Sequence, residues 1–513
     1  MHSARRVGGK PLPSPAASLY WECMAQTQDN RPRLILGPVL VFRGEQGDRW
    51  RVSALFVIDG EHEPDDLRVD GVGLPVPPRH VAAWRGRHLW RFDFAVPRGT
   101  ADGEASYGFE DAEERWRLSV PARGGTPRLA YTACNGTEDE HRKPAATAGR
   151  NALWSDLAAQ HARTPFHLLL QGGDQMYADT VWRECPSLKA WSRRRGRWAR
   201  PFTAAMAEEA MSYYVDRYIA LWSQPEIAPV LARVPSVMMW DDHDIFDGWG
   251  SLAGEAQHAA VPRGVALVAR RAFTLFQLAS PPESLPECVW GAEHGGFTQG
   301  FRAGDLGVLA PDLRSDRTPE RVLSERTWAA LPEWLERFQG CRHLLFLSSV
   351  PLLYTDTGAL ERWVNRLPGT AKLRDDLRDQ WRSPAHVEEW RRLVELLSAF
   401  SLRSGCRVTA LSGEVHFGTR AVLHGGGVEM WQLVSSGVVH PPPGRLVTAL
   451  LERLAARRDA PFPGWSLEMP PFPETGRRLI RARNWLSLHL DRKNQLHAQW
   501  HAEGAIGRFL QVI

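Results

Sequence analysis

The chain has 513 residues, a length that exceeds the usual size of one domain and predicts two or three structural units. Hydrophobic residues make up 43% and charged residues 24% of the sequence, which is typical of a soluble globular protein. The formal net charge of +4, from 63 basic and 59 acidic residues, gives no reason to expect a dedicated nucleic-acid-binding or membrane-surface protein.

The six cysteines are spread over the whole chain and form no C-x-x-C pair, which argues against a zinc ribbon and against a disulfide scaffold. The N-terminus contains arginines but no apolar run of signal-peptide length. No stretch approaches the roughly 20 apolar residues of a membrane span. We therefore expect a cytoplasmic protein with reduced thiols and without a membrane span.

The N-terminal quarter of the chain predicts β-structure after a loose start. Residues 1–30 are at first rich in Pro, Ser and Gly and predict a loose N-terminal segment. Short apolar or alternating segments then recur between turn-rich stretches: LILGPVLVF, RWRVSALFVI, HLWRFDFAV and RWRLSVP. Strands at this spacing, without helical periodicity between them, predict an Ig-like β-sandwich domain over residues 31–122.

The remainder, residues 123–513, predicts an α/β layered domain. Apolar strands alternate with helical stretches, as in PRLAYTA, NALWSDLAAQHA, FHLLLQ, PSVMMW, HLLFLSS and CRVTALS. Further helices are predicted at about 202–233, 262–279, 326–339 and 386–403. The tail NWLSLHLDRKNQLHAQWHAE alternates in period two around a polar turn and predicts a C-terminal β-hairpin added to a sheet.

Four of the predicted buried strands end in residues of the types that bind metals. LAYTA leads into Cys134, HLLLQGG into Asp174, VMMW into the DDHD of residues 241–244, and VTALSG into the EVH of residues 414–416. In open α/β sheets, ligands bind beyond the carboxyl ends of the strands, so these side chains are expected to converge on one pocket.

The chemistry of these side chains indicates a metal-dependent reaction at phosphorus. Carboxylates, imidazoles, a phenol and a thiol suit a transition-metal site with mixed ligands. So many carboxylates in one cleft would repel one another without cations. Two metals about 3.5–4 Å apart can share a carboxylate, generate hydroxide and brace the entering and leaving oxygens of a phosphoryl group. Phosphate esters need this kind of electrostatic stabilisation.

At these positions the chain resembles the calcineurin-like metallophosphoesterases, and more closely their alkaline phosphatase D (PhoD-like) branch. Asp174 and Tyr177 match the GD-x-x-Y form that is shared with purple acid phosphatases. The WDDHD of residues 240–244 and the GEVH of residues 413–416 resemble the WDDHD and GDVH of the branch, and Cys134 stands where the branch has a cysteine. The resemblance covers roughly residues 126–440. It implies an α/β/β/α metallophosphoesterase sandwich, preceded by an N-terminal all-β sandwich domain.

The resemblance also implies roles for individual residues. Asp174 resembles the carboxylate that bridges two metals, and His243 the histidine that stabilises the transition state or protonates the leaving group. The other implied metal ligands are Cys134, Tyr177, Asp242, Glu414 and His416. Thiolate and phenolate at one metal imply Fe(III).

Two departures from the family pattern concern the second metal. Glu414 is one methylene longer than the aspartate of the branch, and the SSVP of residues 348–351 has no histidine where the superfamily often has one. An oxygen-rich set of ligands favours calcium, magnesium or manganese at the second site, with zinc as the alternative.

For several further residues, the sequence allows a structural role as well as a functional one. Asn135 is a candidate metal or phosphate contact, and Arg314 either clamps phosphate or forms a structural ion pair. Asp179 and Asp244 are expected to cap or to orient their neighbours. The WSRRRGRW of residues 191–198 recruits a phosphorylated or nucleic-acid substrate or, as we expect, forms a solvated basic face.

Together these features predict a hydrolase that acts on phosphomonoesters or phosphodiesters through a metal-bridging hydroxide, without an obligate nucleic-acid partner. A nuclease or a phospholipase D-type phosphodiesterase on the same fold is an alternative that differs only in substrate. A non-catalytic binding protein with a decayed metal site is the alternative from another class. A serine hydrolase is not expected, since no G-x-S-x-G motif is present.

Overall fold

The structure is a computed structural model that describes residues 33–60, 62–110, 112, 114–138, 149–252, 254–356, 378–504 and 508–513. The predicted loose segment of residues 1–30 lies outside the described residues.

The described residues form twenty-two strands and eleven α-helices, numbered here in chain order. The first strands are β1 Arg33–Gln46, β2 Arg49–Asp59, β3 Leu67–Val69, β4 Arg79–Trp84, β5 Arg87–Pro97, β6 Gly103–Phe109, β7 Trp116–Val120, β8 Leu129–Thr132, β9 Leu168–Gly172, β10 Ser236–Met239 and β11 Val289–Trp290. The remaining strands are β12 Thr298–Ala303, β13 Leu306–Ala310, β14 His343–Leu347, β15 Arg407–Ser412, β16 Gly418–Gly425, β17 Val428–Val434, β18 Ser466–Glu468, β19 Leu479–Ile480, β20 Asn484–Leu490, β21 Leu496–Ala502 and β22 Arg508–Val512.

The described helices include those that the sequence predicted, and further helices that it did not predict, such as Arg445–Ala455. The helices are α1 Ala152–Arg163, α2 Val181–Glu184, α3 Pro186–Ser192, α4 Ala204–Trp222, α5 Ala228–Leu231, α6 Asp242–Ile245, α7 Glu255–His258, α8 Ala260–Phe276, α9 Glu325–Glu336, α10 Val387–Ser404 and α11 Arg445–Ala455.

Two large sheets form the centre of the molecule. The first has the strand order β22-β21-β20-β8-β9-β10-β1-β2-β5-β4, with β8, β9 and β10 parallel. The second has the order β11-β12-β13-β14-β15-β17-β16-β18, with β13, β14, β15 and β17 parallel and β19 paired to β16. The parallel strands carry the sequence segments that end in the predicted ligands.

The alternation of side chains along the parallel strands produces four layers. On β9, Leu168 and Leu170 pack in the core between the two sheets, together with Leu345 of the second sheet. The intervening Leu169 faces the opposite way and packs with Leu157 of helix α1. A third core lies between the outer face of the second sheet and helices α9 and α10. The layers are therefore helix, sheet, sheet and helix, as the family resemblance implied.

The N-terminal strands form β-structure as predicted, but they also extend the central sheet. Strands β4, β5, β2 and β1 continue the first sheet because β1 pairs in parallel with β10 through Val41 and Ser236. Strands β3, β6 and β7 form a separate small sheet. Its residue Tyr107 packs in the same core as Phe94 of β5. The sequence did not predict the joint between β1 and β10, and the domain boundaries 1–30, 31–122 and 123–513 stay predictions.

The C-terminal hairpin is confirmed. Strands β20 and β21 pair antiparallel from Asn484 with Ala502 to Leu490 with Leu496, and β20 adds the hairpin to the first sheet beside β8. The five cysteines within the described ranges are free thiols. Of the helices that the structure describes, none has the length and apolar character needed to cross a bilayer.

Candidate metal centre

The loops that follow β8, β9 and β10 are tied together by backbone hydrogen bonds. The N–H of Cys134 donates to Gly173 O at 3.2 Å, and the N–H of Asn135 donates to Asp174 O at 2.8 Å. The N–H of Ala178 donates to His243 O at 2.8 Å. Three of the four predicted clusters therefore meet at one edge of the first sheet, as the rule of strand ends requires.

The end of β15 reaches the same place from the second sheet. The backbone N–H of Glu414 bonds to the Cys134 sulfur. A glycine is needed just before it, since a Cβ on Gly413 would lie 2.4 Å from Ala133 Cβ. The fourth cluster thus joins the other three because residue 413 has no side chain.

Several candidate ligands have a strained backbone. Among the described residues that are not glycine, seven have a positive φ, and four of these lie at this site: Cys134 (57°), Asp174 (59°), Glu414 (63°) and His416 (60°). Such conformations persist only where the surroundings impose them, and they are concentrated at functional sites.

Asp174 lies at the centre of the cluster and is 1% exposed. Its Oδ2 is 3.6 Å from the Cys134 sulfur and 3.4 Å from the Tyr177 hydroxyl. Its Oδ1 is buried and has no hydrogen-bond partner among the described residues. Potential ligand atoms of Asp174, Asp242 and His243 all lie within 4.8 Å of one another. A buried carboxylate oxygen without a partner, beside other ligand-type atoms, fits a bound cation.

The electrostatics of the cluster also fit cations. Burial raises the pKa of Asp174 well above its ordinary value, and the carboxylates of Asp241 and Asp242 raise it further. Burial likewise raises the pKa of the Cys134 thiol and of the Tyr177 phenol well above their usual ranges. A nearby cation favours the ionised form of each group and reverses these shifts, so the residues present fit a metal site.

His243 is positioned by Asp179. Its Nδ1 lies 2.9 Å and 3.0 Å from the two carboxylate oxygens of Asp179, and its ring stacks on Tyr177 with centroids 4.1 Å apart. Burial opposes protonation, but Asp179 and the neighbouring Asp242 outweigh it and raise the pKa of His243 well above its ordinary value. Since Nδ1 bonds to Asp179, Nε2 is the ring nitrogen that remains for a ligand or substrate.

Replacing Asp179 with asparagine is expected to lower kcat about 10- to 100-fold, because the neutral amide no longer fixes the tautomer and charge of His243. The fold should persist, since the amide oxygen can still accept the bond that Asp247 N–H makes to Asp179 at 2.7 Å. Steady-state hydrolysis of bis-p-nitrophenyl phosphate measures the effect. Asp216→Asn is the matched control, because Asp216 is 59% exposed and pairs with Arg87. Equal losses in both variants would contradict the role given to Asp179.

Asp244 holds the loops in place. Its Oδ2 accepts the N–H of Asp174 at 2.9 Å and that of Asp241 at 3.0 Å. Its Oδ1 accepts the N–H of Met176 at 3.0 Å and the Gln277 amide at 2.9 Å. Together with Asp241 it also forms a capping box at the start of α6. The expectation that Asp179 and Asp244 orient or cap their neighbours agrees with these contacts.

Arg314 is fully buried and bonded to protein carboxylates. Its guanidinium makes two parallel bonds to Asp379, at 2.8 Å and 2.6 Å, and its Nε bonds to Asp241. One terminal nitrogen lies 3.6 Å from Asp242. Burial opposes ionisation of Asp379, but Arg314 and Arg317 outweigh it and lower its pKa to about 2. Of the two interpretations of Arg314, the contacts favour the structural ion pair over the phosphate clamp.

Asn135 is likewise held by the protein. Its Oδ1 accepts the Trp154 indole N–H at 2.7 Å, and its Nδ2 donates to Gln175 O at 3.3 Å. The side chain is 3% exposed, so these bonds fix the loop after β8 beside the loop after β9.

Glu414 and His416 lie at the rim of the cluster and are half-buried. Glu414 accepts the Gln380 amide at 2.9 Å, and the N–H of His416 donates to the Ser436 hydroxyl at 3.0 Å. The same hydroxyl lies 3.1 Å from the Cys134 sulfur, so His416 and Cys134 share a neighbour.

His440 is a residue at the site that the sequence did not indicate. Its ring stacks on His416 with centroids 3.5 Å apart, and its Nε2 lies 3.2 Å from Glu138. Its backbone N–H donates to Cys134 O at 3.2 Å. The available signal was its place after β17, in VSSGVVH, since this repeats the pattern of an apolar strand followed by small and polar residues.

The basic segment of residues 191–198 does not offer tryptophan faces for base stacking. Trp191 is buried, and the Arg197 guanidinium covers the Trp198 ring with its carbon 4.4 Å from the ring centre. Arg193, Arg194 and Arg195 are exposed. This arrangement agrees with the expected solvated basic face.

Comparisons with known proteins extend these observations. Residues 128–372 match a family model described as PhoD-related phosphatase. The uncharacterized protein YGR266W of Saccharomyces cerevisiae is 24% identical over 488 residues, covering 79% of this chain and 69% of the yeast protein.

Two solved structures share the fold. A structure of PhoD has a TM-score of 0.54 at 12% identity, covering 93% of this chain and 91% of that chain. The purple acid phosphatase PPD1 from yellow lupin (Lupinus luteus) has a TM-score of 0.52 at 12% identity, covering 92% of this chain and 73% of that chain. At this identity the likeness is one of fold, and it confirms the expected fold class. Together with the matched family model, it also confirms that the chain resembles the PhoD-like branch of the calcineurin-like metallophosphoesterases.

Proposed function

We propose that the chain is a metal-dependent phosphoesterase that hydrolyses phosphomonoesters or phosphodiesters. The observation that carries this proposal is the surroundings of Asp174. Its buried carboxylate has the Cys134 sulfur and the Tyr177 hydroxyl at 3.6 Å and 3.4 Å, and ligand atoms of Asp242 and His243 within 4.8 Å. A single carboxylate between the thiol and phenol on one side and the Asp242 carboxylate on the other is what a bridged pair of metals requires, with His243 left free for the substrate.

The donor types divide the proposed ligands between two ions. Cys134 and Tyr177, with Asp174 and His416, would hold the first ion, and thiolate and phenolate suit Fe(III) there. Asp174, Asp242 and Glu414 would hold the second with oxygen ligands, which suits calcium, magnesium or manganese, with zinc as the alternative. When bound, the ions supply Lewis acidity, which lowers the pKa of water and offsets the charge of the phosphate.

The residues of the chain perform the proton transfer and the positioning. In the proposed reaction the bond between phosphorus and the leaving oxygen breaks, and a bond to a water oxygen forms. Burial lowers the pKa of His243, but Asp179, which faces Nδ1, raises it and favours the protonated ring. It therefore can give the proton of Nε2 to the leaving oxygen or stabilise its charge, and the bond from Nδ1 to Asp179 holds the ring in place.

Metal analysis of the purified chain tests the proposal together with hydrolysis. Protein prepared without chelator should hold about two metal ions per chain, absorb visible light through thiolate or tyrosinate charge transfer, and hydrolyse p-nitrophenyl phosphate or bis-p-nitrophenyl phosphate. Removing the metals should abolish hydrolysis. It should also lower the free energy of unfolding by about 2.7 kcal/mol relative to protein with free metal at about 100 times its Kd.

The outcomes separate this proposal from its rivals. Stoichiometric metal without hydrolysis of any phosphate ester would support the binding protein with a decayed site. Absence of bound metal after gentle purification, with hydrolysis unaffected by chelation, would overturn the metal-dependent mechanism itself.

A further inference from the structure

Helix α11 presents three of its large apolar side chains to solvent. Leu446 is 88% exposed, Val447 52% and Leu450 45%, and their spacing of three and four residues places them on one face. Of the eight large apolar side chains that are exposed within the described residues, these three lie on a single helix of eleven residues. Surface helices of globular proteins ordinarily carry polar residues on the face that is turned away from the core.

The opposite side of the same helix, which carries both polar and apolar residues, faces the protein. Thr448 is buried, and the Glu452 carboxylate accepts the backbone N–H groups of Arg478 and Leu479 at 2.7 Å and 3.1 Å. The helix is therefore anchored by Thr448 and Glu452 and also by Ala455, which is buried in the third core, and Leu451, which packs against that core. Its outward apolar face is a feature of the packed structure, because rotating the helix to bury Leu446 and Leu450 would break both bonds to Glu452 and expose Ala455.

Arginines surround the apolar face. Arg445, Arg453 and Arg457 are exposed, and the ion pairs of the described residues do not include them. Arg458 pairs with Glu468 at 3.0 Å but is still 82% exposed. The only acidic residue of the helix, Glu452, is turned inward. The surface thus combines exposed leucine and valine with cations and without an exposed carboxylate on the helix itself.

We infer that α11 and the arginines that follow it form a docking surface for anionic lipid bilayers. A helix with this composition lies in the plane of the bilayer interface, with its apolar face among the acyl chains and its cations beside anionic headgroups. A second copy of the chain fits the same surface poorly, because a twofold contact would place like charges against one another. The near-balanced net charge of +4 hides this local patch.

The docking helix is fixed close to the candidate metal centre. The His440 ring stacks on His416, and residues 441–444, three prolines and a glycine, lead directly from it into α11. The Arg481 side chain donates to Pro443 O at 2.9 Å and holds this connection. Prolines restrict the backbone, so the distance between the docking surface and the site is set by a short and stiff segment.

Binding to lipid vesicles tests the inference on the full chain. The protein should co-sediment with vesicles of phosphatidylcholine containing about one third phosphatidylserine, and at least about 10-fold less with phosphatidylcholine alone or at high salt. The double variant Leu446→Glu/Leu450→Glu should lower the partition coefficient at least about 10-fold. Leu74→Glu, at a residue 77% exposed in the N-terminal region, is the matched control and should bind like the wild type.

Three outcomes would overturn the inference. The first is equal binding of wild type and the double variant to the anionic vesicles. The second is a change of oligomeric state in the double variant without a change in vesicle binding, which would make the face a contact between copies of the chain. The third is a loss of thermal stability in the double variant with no vesicle binding by the wild type, which would show that the chain itself covers the face.

Failure of the docking inference can be distinguished from failure of the proposed function. The double variant should hydrolyse soluble bis-p-nitrophenyl phosphate at the rate of the wild type. Conversely, Asp174→Asn should bind the anionic vesicles like the wild type, since Asp174 is buried within the cluster.

Discussion

Replacing Asp174 with asparagine is expected to lower kcat for bis-p-nitrophenyl phosphate by at least about 10³-fold. The amide cannot bridge two cations as a carboxylate does, and Asp174 is the residue whose oxygens lie beside both sets of donors. The variant should also hold fewer metal ions per chain. Elemental analysis and hydrolysis on the same preparation measure both effects.

The stability of this variant separates a functional loss from a folding defect. Folding raises the pKa of Asp174 above its ordinary value of 3.8, so at neutral pH its ionised form destabilises the metal-free folded state. Metal-free Asp174→Asn should therefore unfold at the same temperature as metal-free wild type or higher. Added metal should raise the unfolding temperature of the wild type more than that of the variant.

A control at the surface completes this test. Asp70→Asn makes the same chemical change at a side chain that is 61% exposed and pairs with Arg115. It should retain wild-type hydrolysis and metal content. Turnover in Asp174→Asn equal to that of the control would contradict the proposed role of Asp174, whatever metal the protein holds.

The meeting of the strand ends could be predicted from sequence because it follows from local patterns. The segments before Cys134, Asp174 and residues 241–244 are short, apolar and bounded by helices, and these features indicate adjacent parallel strands. Once strands are parallel neighbours, their carboxyl ends lie at one edge. The contacts of Asp174 with Cys134 and Tyr177 are the geometric result of that rule.

Contacts between distant parts of the chain could not be predicted in this way. Arg314 and Asp379 are 65 residues apart, and nothing in either local sequence indicates the other. The pairing of β1 with β10 depends on Val41 and Ser236, which are even further apart in the sequence. Whether a side chain faces the site or the rest of the protein also depends on the tertiary structure. Asn135 follows a strand end, as the pattern for site residues requires, but its side-chain oxygen accepts a hydrogen bond from the Trp154 indole.

Helix α11 illustrates the limit of composition as a guide. Its leucines and arginines have the periodicity of an ordinary amphipathic helix, and only the packing shows which face is outward. The inward face is held by Glu452, which accepts the backbone N–H groups of Arg478 and Leu479, and by Ala455, which is buried in the third core. Because Glu452 is turned inward, the exposed face of the helix has no carboxylate, and the total charge of the chain gave no reason to expect such a surface.

Replacing Arg314 with alanine is expected to lower the free energy of unfolding by about 3–5 kcal/mol. The substitution leaves Asp379 and Asp241 buried without their main cationic partner, because Arg314 makes three of the bonds to these two carboxylates. Folding lowers the pKa of Asp379 from 3.8 to about 2. Its contribution to stability is therefore fully present above pH 3.8 and is lost as the pH falls through about 2, so urea unfolding at pH 7 reports the whole effect.

A surface arginine provides the scale for this loss. Arg458→Ala also deletes a guanidinium that pairs with a carboxylate, Glu468, but the arginine is 82% exposed and the expected cost is about 1 kcal/mol or less. A similar cost for both variants would contradict the view that Arg314 balances a buried cluster of acids. Asp379→Asn should cost less than Arg314→Ala, because Arg314 retains Asp241 and Asp242 as partners. If the two variants follow this order, Arg314 neutralises several carboxylates beside the candidate metal centre. If they do not, Arg314 serves only its ion pair with Asp379.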